Sequence, residues 1–97
     1  MNRKHQKGFI NHLRAVQWLT KRGYYVFNNI STLGPCDLIC MDNNGSVIFI
    51  DVKTESKRKD GSIINRIPSD EQKIKDIRIL IVNSHGKLYF SDGKAIV

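Results

Sequence analysis

Asp42-Asn43-Asn44-Gly45 sits between two runs rich in apolar and β-branched residues, Asp37 to Met41 and Ser46 to Thr54. Asn and Asp tolerate left-handed backbone and Gly adopts it freely, so this stretch predicts a tight turn between antiparallel strands. The hairpin constrains the fold more than any other segment, because strand residues two apart share a face and its register decides which side chains meet. Asp51 and Lys53 therefore emerge together, with Ile50 and Val52 on the opposite face. Asp37, opening the neighbouring strand under ~5 Å away, can reach the same spot. Two carboxylates and an amine converge.

Around the hairpin the order is helix, three strands, helix, strand. From Phe9 to Arg22 the apolar residues Phe9, Leu13, Val16 and Leu19 recur at spacings of three and four, widened by Ile10, Ala15 and Trp18, which predicts an amphipathic helix facing the core with that stripe. Gly23 stands where a left-handed C-terminal cap belongs. Residues 1–7 read as a basic arm before the helix. Tyr24 to Ile30 reads as a strand broken by Ser31-Thr32-Leu33-Gly34-Pro35. Residues 55–66 are polar and basic and read as a mobile loop. Ser69, followed by Asp70 and Glu71, is an N-cap candidate for a short helix to about Lys75. Ile77 to Val82 then reads as a buried strand, Lys87 to Phe90 as a short one, and Ala95-Ile96-Val97 as a further terminal strand. The expected architecture is α/β, a mixed central sheet flanked by helices, and 97 residues suffice for a single small domain.

Charge narrows the partners. Lys and Arg number 16 against 9 Asp and Glu, a net +7, which points to a polyanion, nucleic acid first. No acid precedes Asp37, whereas Arg3, Lys4, Lys7, Arg14, Lys21 and Arg22 do. Such a block is either a nucleic-acid arm or a solvated helix face. The longest apolar runs, Val47 to Ile50 and Ile79 to Val82, are too short to span a bilayer, and the N-terminus continues into amphipathic rather than continuously apolar sequence. No membrane partner and no secretory signal are expected. Cys36 and Cys40 make neither a disulfide framework nor a zinc site and read as small strand residues in a reduced, cytoplasmic chain.

The converging groups are those that phosphodiester hydrolysis requires. Two hard carboxylates, Asp37 and Asp51, and a backbone carbonyl such as that of Val52 can hold Mg²⁺, with Mn²⁺ able to substitute, and leave sites open for water and phosphate. Lys53 can orient the attacking water and offset charge developing on phosphorus. Placing Asp51 and Lys53 in an apolar strand costs roughly several kcal/mol per ion unless they are paired or metal-bound. Acid-x-Lys occurs four times in the chain, so the tripeptide alone carries no information. Only Asp51-Val52-Lys53 lies in an apolar run with Gly34-Pro35-Cys36-Asp37 one hairpin upstream. The competing reading is a surface ion pair on an exposed sheet face.

At this level of detail the chain resembles the PD-(D/E)xK nuclease superfamily, and within it the small archaeal-type and phage Holliday junction resolvases. The resemblance is carried by Lys7-Gly8, Gly23-Tyr24-Tyr25-Val26, Gly34-Pro35-Cys36-Asp37-Leu38-Ile39, Phe49-Ile50-Asp51-Val52-Lys53-Thr54 and Ser69-Asp70-Glu71-Gln72. It implies a restriction-endonuclease-like αβββαβ core, Asp37 and Asp51 as metal ligands, Lys53 as catalytic lysine, and Gln72 as a polar helper facing the site. It also implies a Mg²⁺-dependent endodeoxyribonuclease making paired nicks in branched DNA during recombination or repair, acting as a homodimer. One position departs: His12 stands where such resolvases carry a helix glutamate, and it either ligates a metal or merely flanks the apolar stripe.

Other candidates keep two readings each. Ser31 and Thr32 either bind a backbone phosphate or end the strand. Lys57, Arg58 and Lys59 either contact DNA or form solvated surface, with Arg66 and either Lys73 or Lys75 extending the same field. Two alternatives to the resolvase remain: a nicking or flap-type nuclease of repair or DNA packaging, and a catalytically inactive DNA-binding module.

Overall fold

Helix α1 runs from Arg3 to Lys21 in a computed structural model of the chain, which describes residues 3–31 and 33–96. Gly23, at φ 87°, closes the helix in a Schellman arrangement: its N–H donates to Thr20 O at 3.0 Å and that of Tyr24 to Leu19 O at 3.2 Å. The start lies earlier than the apolar stripe indicates. Arg3 to Lys7, expected as an arm, are helical, because cationic side chains with good helix propensity extend the helix without any apolar period to announce it. Met1 and Asn2 lie outside the described residues.

The face α1 buries also differs from the expected stripe. Asn11, Ala15 and Leu19, spaced by four, are buried, while Phe9, Ile10 and Leu13 are exposed. Asn11 is only 2% exposed, its Nδ2 donating to Thr54 Oγ1 at 2.8 Å and its Oδ1 accepting from Arg14 at 3.2 Å. A buried amide with both ends satisfied is tolerated in a core, and this one turns the helix so that Ala15 and Leu19 enter it.

Strands β1 (Tyr25–Asn28), β2 (Leu38–Met41), β3 (Val47–Thr54), β4 (Ile77–Val82) and β5 (Leu88–Phe90) form one sheet in sequence order. Only β3 and β4 are parallel. The parallel step needs a crossover, supplied by residues 55–69 and helix α2 (Asp70–Ile74). The chain is thus a small α/β domain with a mixed sheet, as expected. Helix α1 covers one face, where Ala15 and Leu19 pack with Leu38, Cys40, Ile50, Leu80 and Phe90. The apolar β2 and β3 residues of this face alternate with those of the other, which carries Asp51 and Lys53.

The 55–66 segment is a loop outside the regular elements, in which Lys57 and Ile63 form an isolated bridge and Arg58 N–H donates to Ser62 O at 2.7 Å. One further expectation changes. Ala95 and Ile96 do not form a strand, and Val97 lies outside the described residues. Arg78 takes carbonyls there that a ladder would need, donating to Lys94 O at 3.0 Å and Ala95 O at 3.4 Å. Among the described residues no helix is long and apolar enough to cross a membrane.

Candidate active site

Asp37 stands one residue before β2 and continues the ladder. Its N–H donates to Ile50 O at 2.9 Å, and its own carbonyl accepts from Asn29 N–H at 2.9 Å. Where the next rung would require another strand residue, the Asp37 carboxylate supplies it, Oδ2 accepting from Val52 N–H at 2.8 Å. In a strand the carbonyl of a residue leaves on the same edge as its N–H, so Val52 O faces the same side as the Asp37 carboxylate.

Asp51 is 7% exposed, and its Oδ2 accepts from Gln72 Nε2 at 2.9 Å and lies 3.5 Å from Lys53 Nζ. The Lys53 side chain keeps 44% of its surface exposed. The desolvation cost inferred from sequence therefore falls on the acid, while the ammonium snorkels into solvent. Gln72 reaches the site because α2 is anchored at its start by a reciprocal capping box: Ser69 Oγ accepts from Gln72 N–H at 3.2 Å, and Gln72 Oε1 from Ser69 N–H at 3.0 Å. Its Nε2 also donates to Pro35 O at 2.9 Å. One side chain thus joins α2, the turn before β2, and Asp51.

Burial and a hydrogen bond shared with Asp51 push the Asp37 carboxyl above the usual carboxylate range, against the lowering pull of the Val52 N–H and Lys53. Two carboxylates this close resist ionising together unless a cation lies between them. The donor chemistry fits a hard divalent ion: two carboxylates, the Val52 carbonyl, and room left for water or phosphate oxygens. Cys36 beside them is raised as well, by burial first and then by Asp37 and Asp51, which keeps the thiol neutral and unsuited to nucleophilic attack.

His12 is not brought to the carboxylates. Its Nε2 lies 2.8 Å from Asn28 Oδ1, holding α1 to β1. No group of three or more His, Cys, Asp or Glu side chains is placed to hold a metal among the described residues, so a His12 ligand is not supported. Several cations expected to meet DNA are instead committed to the protein. Arg14 bonds Asn11 and packs against Gly86. Arg66 donates to Ser56 Oγ at 2.8 Å and Thr54 O at 3.4 Å, bracing the end of β3. Lys75 pairs with Glu71 at 3.4 Å, and Arg58 donates to Ile63 O at 3.2 Å. Ser31 accepts from Leu33 N–H at 3.3 Å and donates to Asn29 Oδ1 at 2.8 Å, the geometry of a turn that ends β1. Thr32 lies outside the described residues. Arg3, Lys4, Lys7, Lys57, Lys59 and Lys73 are exposed.

The chain is an α/β domain with α1 on one face of a mixed sheet and the acid-lysine end of β3 on the other. Among solved structures, the chain is similar to the bacterial homing endonuclease I-Ssp6803I, with a TM-score of 0.70 over 92% of this chain and 68% of that one. At 20% identity the likeness is one of fold. No family model and no curated protein matches the sequence.

Proposed function

We propose that the chain is a Mg²⁺-dependent endodeoxyribonuclease cutting branched DNA, most directly a four-way junction. The observation that carries this reading is the meeting of Asp37, Asp51, Lys53 and Gln72 at one end of β3, on a fold shared with a DNA-cutting enzyme. Asp37, Asp51 and the Val52 carbonyl would hold Mg²⁺, whose chemistry there would be Lewis acidity toward the scissile phosphate. The protein's own groups do the positioning. Val52 N–H holds the Asp37 carboxylate, and Gln72 holds that of Asp51. The Lys53 ammonium is free to lean from Asp51 toward solvent, where it orients the attacking water and meets negative charge growing on the phosphate oxygens. Attack forms the new P–O bond as the bond to the leaving sugar oxygen breaks; the water's proton passes to solvent, and the leaving oxygen takes one up.

Branched substrates are favoured by the resolvase-like motifs and by exposed lysines that contact phosphate rather than base edges. A second reading, site-specific cutting of linear duplex, is favoured by the similarity to a homing endonuclease. Purified protein with Mg²⁺ on four-way junction, flap and linear duplex, beside Asp51→Asn, separates them. Paired junction nicks absent in the variant support the first. Preference for flaps or for one linear site moves the assignment accordingly. Tight binding with no cutting in Mg²⁺ or Mn²⁺ removes the enzyme reading.

A further inference from the structure

The register across β1, β2 and β3 aligns Phe27, Ile39 and Phe49 in one row on the sheet face opposite α1. Asp51 lies two residues beyond Phe49 on β3, and Asp37 two residues before Ile39 in the chain. The row therefore sits about 7 Å along the strands from the carboxylates. Phe27 is 52% exposed, with Ile39 half-buried beside it. Between β1 and β2 opens a cavity of about 230 Å³ whose wall includes Phe27, Ile39, Asn29, Cys36 and Asp37. An open aromatic ring and an acid of the site thus line one space.

We propose that this cavity is a base subsite, which takes one nucleobase of the strand being cut, unstacked and laid against Phe27, while the phosphate of that nucleotide meets Asp37, Asp51 and Lys53. The inference rests on the nuclease reading and names what that site selects. The shared wall decides the occupant. A second protein seated on Phe27 would also close over the Asp37 carboxylate, desolvating an anion that then needs a cation of its own. A nucleotide carries both required parts on one covalent frame, a flat apolar ring and an anion for metal and ammonium. The chain's +7 charge and the half-exposed Lys53 ammonium favour that anion.

The polar groups around the cavity limit what it can read. Asn29 Nδ2 donates to both Leu33 O and Cys36 O, and its Oδ1 accepts from Ser31 N–H at 3.2 Å and Ser31 Oγ at 2.8 Å. Asn28 is turned to α1, where it meets His12. Among the described residues no side-chain amide on the wall is left to pair with a base edge, so the subsite stacks any base and identifies none. It selects instead a base that is free to leave its neighbours. In continuous duplex that base must first be unpaired and unstacked, whereas at a branch point part of this cost is already met. A preference for branched DNA then follows from one ring beside the carboxylates.

The test combines a protein change with a DNA change. Nicks on a four-way junction are mapped, and the base on each side of the nick is then removed in turn as an abasic site. Phe27→Ala is expected to lower kcat/KM on the intact junction by ~5- to 150-fold, the range carried by a base-aromatic stack, and Phe27→Trp to retain it. At one of the two flanking positions the abasic junction is expected to cost the wild type as much, and Phe27→Ala to lose nothing further on that DNA. Tyr25→Ala, one row farther from the carboxylates, is expected to cut as the wild type does. Additive losses from variant and abasic site overturn the proposal. So does a wild type indifferent to both abasic positions, an arm that needs no variant to fold. Binding is read separately, in chelator, with 2-aminopurine at the branch point: its fluorescence is expected to change on adding wild type and to stay constant with Phe27→Ala. That signal without cutting of any DNA removes the nuclease reading alone, and cutting that ignores Phe27 and both abasic positions removes the base subsite alone. Neither signal nor cutting removes both.

Discussion

Gln72 is the residue through which α2 enters the site, and its removal tests that connection directly. In Gln72→Ala the hydrogen bond to the Asp51 carboxylate is lost, an interaction of about 1.5–3 kcal/mol because its acceptor is charged, together with the neutral bond to Pro35 O at roughly 0.5–1.5 kcal/mol. The half of the capping box made by Gln72 Oε1 goes as well. Against these stand the side-chain entropy no longer spent on holding the amide and the access of water to a site already open at Lys53. The net expectation is a loss of about 2 kcal/mol. For a domain of this length that lowers Tm by roughly 8–16 °C. Gln72→Glu sharpens the test. It keeps an oxygen for Ser69 N–H, cannot donate when ionised, and places a third negative charge beside Asp51, so in a chelator it is expected to be no more stable than Gln72→Ala. Mg²⁺ should then recover more stability in Gln72→Glu than in the wild type, since the added anion gives the cation more to neutralise. The assay is thermal and urea unfolding with chelator and with Mg²⁺. If both variants unfold within about 0.5 kcal/mol of the wild type in chelator, the range of an ordinary surface change, Gln72 does not hold Asp51 and α2 is not part of the site.

Further predictions concern the acids, the core amide and the basic loop. Because the folded Asp37 carboxyl titrates above its ordinary 3.8, the stability it contributes is fully present below that pH and lost as pH rises through the raised value. In chelator, the stability difference between wild type and Asp37→Asn should therefore move in favour of the variant from acid to neutral pH, while cleavage is abolished; pH-dependent urea unfolding of the pair checks it, and a flat difference would falsify the assignment. Asn11→Ala is expected to cost about 1–3 kcal/mol by stranding Thr54 Oγ1, and a cycle with Thr54→Val to show coupling of at least ~0.5 kcal/mol, measured by urea unfolding. Replacing both Lys57 and Lys59 by Gln should reduce the slope of log affinity for DNA against log salt by up to ~2 if both contact phosphate, read by fluorescence anisotropy at several ionic strengths. An unchanged slope makes the loop plain surface.

The hairpin, the two helix caps and the convergence of Asp37, Asp51 and Lys53 were legible because each is written in local chemistry: a turn that needs Gly45, a cap that needs Gly23, and the two-residue period of a strand. The rotation of α1 was not. Pattern reading assigns Phe9 and Leu13 inward and Asn11 outward, and only the hydroxyl of Thr54, forty-three residues away, makes the opposite arrangement stable. The same long-range dependence hides the roles of Arg14 and Arg66. Each reads as a cation for DNA until the acceptors that hold it, Asn11 Oδ1 in one case and Ser56 Oγ in the other, are seen beside it. His12 fails likewise, since Asn28 is its partner only once β1 has folded against α1. Pairwise satisfaction across the fold, rather than residue type, decides which polar groups remain available to a ligand.

The way Asp37 completes the ladder makes the sheet a ruler for the chemistry. Its carboxylate occupies the position a backbone carbonyl would take opposite Val52 N–H, so its distance from Asp51 is set by strand spacing and one methylene. Glutamate keeps the charge yet overshoots that rung, while asparagine keeps the rung and discards the charge. Among these side chains only aspartate keeps both the rung and the charge, so the position has a vocabulary of one.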